Sequence, residues 1–385
     1  MEFGVPKEVR DLERRVGLAP GSVLGLTRAG HTVYVQADAG TGAGFSDEDY
    51  RDAGAQIVYS AAEAYGRADV VAKIARPTDD EYRHFRSGQV LFAFFHLPVS
   101  SPDMYAALVD HEITAVSYEL MRDSSGQYPV LVSASEVAGR LAPTIAGQLL
   151  CSNAKHGHNG RGILLSGLAS VPPASVVIVG GGTVGMNAAR AFLGMGAEVM
   201  VLDRDINKLR TIEDRFNGRV TTMFANRYNL ERVVKFADVL VGAVLVPGQR
   251  APIIITHEMV KTMRSGSVII DYSIDEGGCV ETSRPMTMRD PVFVTDGIIH
   301  HCVPNITSAV SRTTSYAISN AALPYLRAVA EQGLLSAVKD HTALAEGISL
   351  YQGNLVHPGL AAALGRTISR PLFVDETDSH RGGLL

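Results

Sequence analysis

Three glycines set the first constraint on what this chain can do. Gly180, Gly182 and Gly185 stand at G-x-G-x-x-G spacing directly after the apolar run Val176–Val179, and Asn187–Gly194 follows with small residues at helical spacing. In such a unit the first glycine permits a tight turn and the second lets backbone N–H groups approach a pyrophosphate. The third allows close helix–strand packing at the positive end of a helix dipole. Asp203 closes the next apolar run, AEVMVLD, where a carboxylate accepts hydrogen bonds from a ribose 2′-hydroxyl and repels a 2′-phosphate. The spacing therefore points to NAD rather than NADP. Arg204, Lys208 and Arg210 follow and could meet a 2′-phosphate, although Lys208 and Arg210 read as solvated positions on the next helix.

In open α/β sheets ligands bind beyond the carboxyl ends of strands, so titratable groups at those ends come next. Arg15 lies in KEVRDLERRVGLAP, Lys73 within DVVAKIARP, His96 after VLFAFF, and Asp271 and Asp275 in VIIDYSIDEGG. Two cations suit a small carboxylate substrate, and a histidine with an aspartate suits proton transfer beside hydride transfer. Plainer readings compete. Arg15 beside Arg14 fits a surface ion pair, and a histidine closing a strand is often a satisfied core residue. Asp271 can simply hold a turn, whereas Asp275 precedes Gly277–Gly278 on a loop able to reach a cofactor. Cys151, Cys279 and Cys302 lack C-x-x-C spacing and read as buried free thiols, and His156 and His158 in AKHGHNGRG have no carboxylate or cysteine beside them, so no metal is expected.

The elements that must position these groups alternate strand and helix. The N-terminal third reads FGVPKE, a helix over Ser22–Ala29, HTVYVQ, a helix near Asp47–Ala53, QIVYS, DVVAKIA, VLFAFF and AVSYEL, the pattern of a doubly wound parallel sheet. SASEVAGRLAPTIAGQLL then reads as a long connecting helix with Ser133 or Ser135 as N-cap. Beyond Asp203 come RVTTMFA, NLERVVKFA, DVLVGAVL, HEMVKTMR and SVIIDYSI in βα order, followed by the long helical segment TTSYAISNAALPYLRAVAEQG. The expected fold is α/β, with two Rossmann-like doubly wound domains and a cleft between them. A nucleotide domain over 135–303 is inserted within a substrate domain formed by 1–134 and 304–385. The polar tail from Val374 to Leu385 reads as frayed.

A chain of 385 residues is long enough for two domains with separate cores, and 46% hydrophobic content fits a globular α/β protein. A net charge of −5 with no basic cluster argues against a nucleic-acid partner. No apolar run reaches membrane-spanning length and the charged start MEFGVPKEVRD lacks a signal-peptide core, so the expected location is the cytoplasm.

The segments GVPKE, ERRVGLAP, GAGFSDEDY, FFHL, SEVAGR, VPPASVVIVGGGTVGMNAAR, RVTTMF, GAVLVPG, DYSIDEGGCVETSRP and TTSYAISNAALPYL run almost from end to end. Together they resemble the alanine dehydrogenase family, shared with the nucleotide-binding part of nicotinamide nucleotide transhydrogenase. The resemblance implies reversible oxidative deamination of L-alanine, or a close analogue, to pyruvate and ammonium with NAD, in a homohexamer. It implies Arg15 and Lys73 as substrate-binding residues and His96 and Asp275 as catalytic ones. It also implies cofactor contacts at Ser135, Gly180, Gly182, Gly185, Asp203, Val244, Val303 and Asn305. Departures cluster around these residues. Lys73-Ile74-Ala75-Arg76-Pro77 stands for the family's KVKEP, Ala134 for a methionine, and Tyr272 and Ser273 for small or aliphatic residues. Val303-Pro304-Asn305-Ile306-Thr307 stands for VANMP, and a later proline is Ser311. Two other readings stay open: a related NAD(P)H-dependent enzyme acting on a different 2-oxo acid or imine, and a non-catalytic NAD-binding protein.

Overall fold

The computed structural model describes residues 1–152 and 159–369, so His156, His158 and the tail from Val374 lie outside the described residues. Two compact units are present. One comprises Met1–Val9, Val16–Val130 and the chain from Ser319 onward; the other comprises Arg10–Arg15 and Leu131–Ile318.

The first unit is built on β1 (Glu2–Val5), β2 (Thr32–Gln36), β3 (Gln56–Val58), β4 (Val70–Ala75), β5 (Val90–Phe94) and β6 (Thr114–Ser117). These pair in parallel in the order β3-β2-β1-β4-β5-β6, the doubly wound order whose strand sequence reverses between β1 and β4. The central strands are largely buried, as a sheet covered on both faces requires, and β4 is buried at every position, while the edge strand β3 is partly exposed. One face of the sheet is sealed by Leu91, Ala93, Phe95, Leu108 and Ile113.

The second unit contains β7 (Ser175–Val179), β8 (Glu198–Asp203), β9 (Thr221–Phe224), β10 (Val239–Gly242), β11 (Val268–Asp271), β12 (Val292–Thr295) and β13 (Ile298–His301). Its order, β12-β13-β11-β10-β7-β8-β9, repeats the doubly wound pattern with its reversal between β7 and β10, and β12 is an antiparallel edge strand. Separate apolar layers cover its two faces, one around Val176, Ile178, Ala188 and Phe192, the other around Val177, Val179, Leu240 and Ile269.

Three local readings of the sequence are corrected. The long helix begins at Pro129, so Ser133 and Ser135 lie inside it rather than at its N-cap; proline suits a first helical position because its missing N–H has no intrahelical partner there. The first sheet gains β14 (Ile348–Tyr351), antiparallel to β6, and β15 (Asn354–Leu355), which the alternation of βα units does not announce. Cys151 is exposed, while Cys279 and Cys302 are buried free thiols as expected. The changes of unit at 130/131 and 318/319 fall inside the helices Pro129–Leu150 and Ser311–Gln332, whereas those at 9/10 and 15/16 fall in the irregular segment after β1. Among the described residues no helix is long and apolar enough to cross a membrane.

Candidate functional site

The nucleotide loop divides its work among the glycines. Gly180 has φ +108, and a Cβ there would lie 2.2 Å from the Ala243 carbonyl oxygen at the reversal between β7 and β10. At Gly185 a Cβ would lie 1.8 Å from the Gly180 carbonyl oxygen, so only glycine lets the helix Thr183–Gly194 start so close to the strand. Gly182 differs: a Cβ there meets nothing within 4 Å, which leaves an open approach to the helix N-terminus where backbone N–H groups face an anion. Asp203 ends β8 beside this loop. Its carboxylate accepts the Gly181 N–H at 2.7 Å and the Asp205 N–H at 2.8 Å, and Lys208 Nζ lies 3.7 Å away. Lys208 is thus partnered with the acid rather than merely solvated. These groups fit a dinucleotide: an open cradle for a pyrophosphate and an oriented carboxylate for a ribose.

The loop after β11 supplies the titratable end of the same unit. Asp271 is nearly fully buried and caps this loop, accepting the Ser273 N–H at 3.0 Å, the Cys279 N–H at 3.0 Å and the Val280 N–H at 3.1 Å. Burial pushes its carboxyl above the ordinary value, against those hydrogen bonds and one from Ser283. Both ends of the 271–280 loop are therefore tied to one side chain. Ser273 Oγ accepts the Val244 N–H at 3.0 Å, and Asp275 Oδ1 accepts the Asn305 N–H at 3.3 Å, with Asn305 in the left-handed region at φ 58. The structure thus joins Val244, Asp275 and Asn305 through one loop. Val303 is buried with Ile306 and Ala138, and Ser135 lies on the helix that contributes Ala138. Tyr272 packs against this cluster, and its buried hydroxyl has no hydrogen-bond partner among the described residues.

Arg15 belongs to this second unit as well. Its Nε donates to Glu13 Oε1 at 2.7 Å, Nη2 donates to Glu13 Oε2, and Nη1 donates to Thr307 Oγ1 at 2.9 Å. The surface ion pair that Arg14 suggested is not what forms, since both Arg15 and Glu13 are buried. Burial would raise the Glu13 carboxyl, but the Arg15 guanidinium outweighs it and holds it below the ordinary value. Glu13 and Thr307 are site residues that sequence reasoning missed. The E-x-R spacing was a weak signal for Glu13, and Thr307 carried none beyond its place in an altered loop.

In the first unit, His96 follows β5 in a left-handed conformation, φ 46 and ψ 50. Such a backbone costs on the order of 1–2 kcal/mol for a residue with a Cβ. Glu119, buried just after β6, holds it by accepting the His96 N–H at 2.7 Å and the Phe95 N–H at 3.3 Å. The imidazole stacks on Phe94 with centroids 6.0 Å apart.

Lys73 is enclosed within the first unit. Its side chain is 0% exposed, and its ammonium donates to Glu8 at 2.9 Å and Glu81 at 2.7 Å. Glu81 in turn accepts from the Tyr65 hydroxyl at 2.9 Å. Burial pulls the ammonium down in pKa, but the two carboxylates outweigh it and hold Lys73 above its ordinary value. The ammonium is thus enclosed between two acids, which hold it charged and in one place. Glu8 follows β1 and Glu81 lies on the helix Asp79–Tyr82, so no local pattern around Lys73 announces either partner.

Comparison with known proteins adds the following. The family model described as alanine dehydrogenase/PNT, N-terminal domain, matches residues 4–138, and the corresponding C-terminal domain matches residues 146–358. The chain is 41% identical to an alanine dehydrogenase of Staphylococcus haemolyticus over 95% of this chain and 96% of that protein. It is 41% identical to an alanine dehydrogenase of Mycobacterium tuberculosis over 97% of this chain and 100% of that protein. A solved L-alanine dehydrogenase superposes with a TM-score of 0.87 at 41% identity, covering 95% of this chain and 99% of the other.

Proposed function

The chain belongs to the alanine dehydrogenase/PNT family, and from that premise we propose that it is an NAD-dependent amino-acid dehydrogenase interconverting L-alanine, or a close analogue, with pyruvate and ammonium. The observation that carries this reading is the likeness to alanine dehydrogenases over nearly the whole of both chains.

NAD held by the Gly182 cradle and Asp203 supplies a hydride acceptor, with Ser135, Gly180, Gly185, Val244, Val303 and Asn305 as further contacts. Arg15 receives the substrate carboxylate as a charge-assisted pair, which orients the substrate. His96 exchanges a proton at the reacting centre, and the turn that Glu119 holds keeps the imidazole in one place. Asp275 takes a proton from water as it adds to the imine carbon, and the resulting carbinolamine releases ammonia to leave the oxo acid. In the reverse direction the same carboxylate assists ammonia addition. Lys73, held by Glu8 and Glu81, is the second substrate-binding residue proposed with Arg15.

The finer assignments proposed with it are a substrate domain of 1–134 with 304–385, a nucleotide domain of 135–303, a homohexameric assembly and a cytoplasmic location. Resemblance to the family supports the last two. The test is an absorbance assay of NADH consumption with pyruvate and ammonium, and of NADH production from L-alanine and NAD, beside a panel of other 2-oxo acids. Turnover of pyruvate is expected. Turnover confined to a different oxo acid would overturn the substrate, and no ammonium-dependent turnover of any would overturn the enzyme class.

A further inference from the structure

Thr307 stands where the family's VANMP pattern has proline, and it is also the side chain that reaches Arg15 from 292 residues further along the chain, within the same compact unit. We infer that Thr307 is a specificity-determining residue: with Glu13 it fixes the plane of the Arg15 guanidinium, and so sets how a substrate carboxylate is received. This rests on the role given to Arg15 above.

A guanidinium is planar, and its N–H directions are fixed relative to one another. Glu13 binds one edge through Nε and Nη2, and the Thr307 hydroxyl accepts from Nη1 at 2.9 Å. Two anchors on different nitrogens define both the plane and its rotation. Proline has no hydroxyl, so a chain with the family residue at this position has no side-chain acceptor for Nη1.

The anchor is itself immobile. Thr307 is 6% exposed, and its carbonyl accepts the Thr314 hydroxyl at 2.8 Å. The next residue, Ser308, clamps the segment that carries Arg15. Its Oγ accepts the Arg14 N–H at 2.9 Å and donates to the Leu12 carbonyl at 2.9 Å, where Leu12 has φ 53. Backbone drift therefore cannot relax the separation of residues 15 and 307. The ligand concerned is the carboxylate of a 2-oxo acid or amino acid, and the property set by Thr307 is its orientation on Arg15 rather than the presence of charge, which Arg15 supplies.

The experiment compares wild type with Thr307→Val, which removes the hydroxyl while keeping the branched shape, and Thr307→Ser, which keeps the hydroxyl. Arg15→Ala is run in parallel. For each, KM for the best 2-oxo acid is measured at saturating NADH and ammonium, with the NADH Kd from fluorescence titration and the melting temperature. Loss of a hydrogen bond to a charged group predicts a KM for the oxo acid raised about tenfold to a hundredfold in Thr307→Val, with Thr307→Ser restoring it and the NADH Kd unmoved. A KM unchanged in Thr307→Val but raised in Arg15→Ala overturns the inference and leaves the role of Arg15 standing. A KM unchanged in both removes the role of Arg15 and the inference with it. A Thr307→Val variant whose NADH Kd rises along with KM, and whose melting temperature falls, overturns the inference in favour of a structural role.

Discussion

Replacing Lys73 by methionine keeps most of the side-chain volume but deletes the ammonium that Glu8 and Glu81 share at 2.9 and 2.7 Å. Both carboxylates are then buried without their cation, a situation that costs about 3–5 kcal/mol. At about 2–4 °C of melting temperature per kcal/mol for a unit of this size, the expected fall is roughly 6–20 °C. The pH dependence follows from the direction of each shift. Glu81 is held below its ordinary value of 4.5, so its contribution is complete above that pH and is lost as pH falls through its lower folded value. Lys73 is held above 10.5, so its contribution is complete below that pH and fades only as pH rises past its folded value. The gap in stability between wild type and Lys73→Met should therefore be widest across neutral pH and narrow below about pH 4.5. Calorimetry across that range, with steady-state kinetics on the folded fraction, is the assay. A variant that melts like wild type across the whole pH range would refute the reasoning.

Other substitutions probe the remaining assignments. Asp203→Ala should lower the preference for NADH over NADPH, measured as the ratio of kcat/KM values; a wild type that uses NADPH better than NADH would contradict the role given to that carboxylate. Asp275→Asn keeps an oxygen to accept the Asn305 N–H but no longer takes a proton, so kcat should fall about a hundredfold or more with NADH affinity retained; wild-type turnover would remove Asp275 from the mechanism. Tyr272→Phe deletes a buried hydroxyl that has no hydrogen-bond partner among the described residues, so the melting temperature should hold or rise. A fall in stability, or weaker NADH binding, would show that the hydroxyl has a partner after all.

Much of the nucleotide unit was legible from local pattern alone. The apolar run, the glycine spacing and the acid at the end of the next run are constraints within one βαβ unit, where periodicity and turn chemistry act on neighbours in the chain. The doubly wound class followed for the same reason, because alternating strands and helices leave few ways to cover a parallel sheet. The Asp-Gly pair at 296–297, with both residues at positive φ, forms the hairpin that puts β12 antiparallel on the edge, a local turn signal that the βα alternation does not carry. What a charged residue does was a different matter. Lys73 stood out because it lay in an apolar strand, but its pairing with Glu8, 65 residues earlier, and with Glu81 came only from the fold. Arg15 and Thr307 lie 292 residues apart, yet one orients the other. Sequence determines which groups a strand or loop can offer; the partners that spend or redirect their charge come from elements distant in the chain, and Coulomb and hydrogen-bond energies depend on the distances that tertiary folding alone creates.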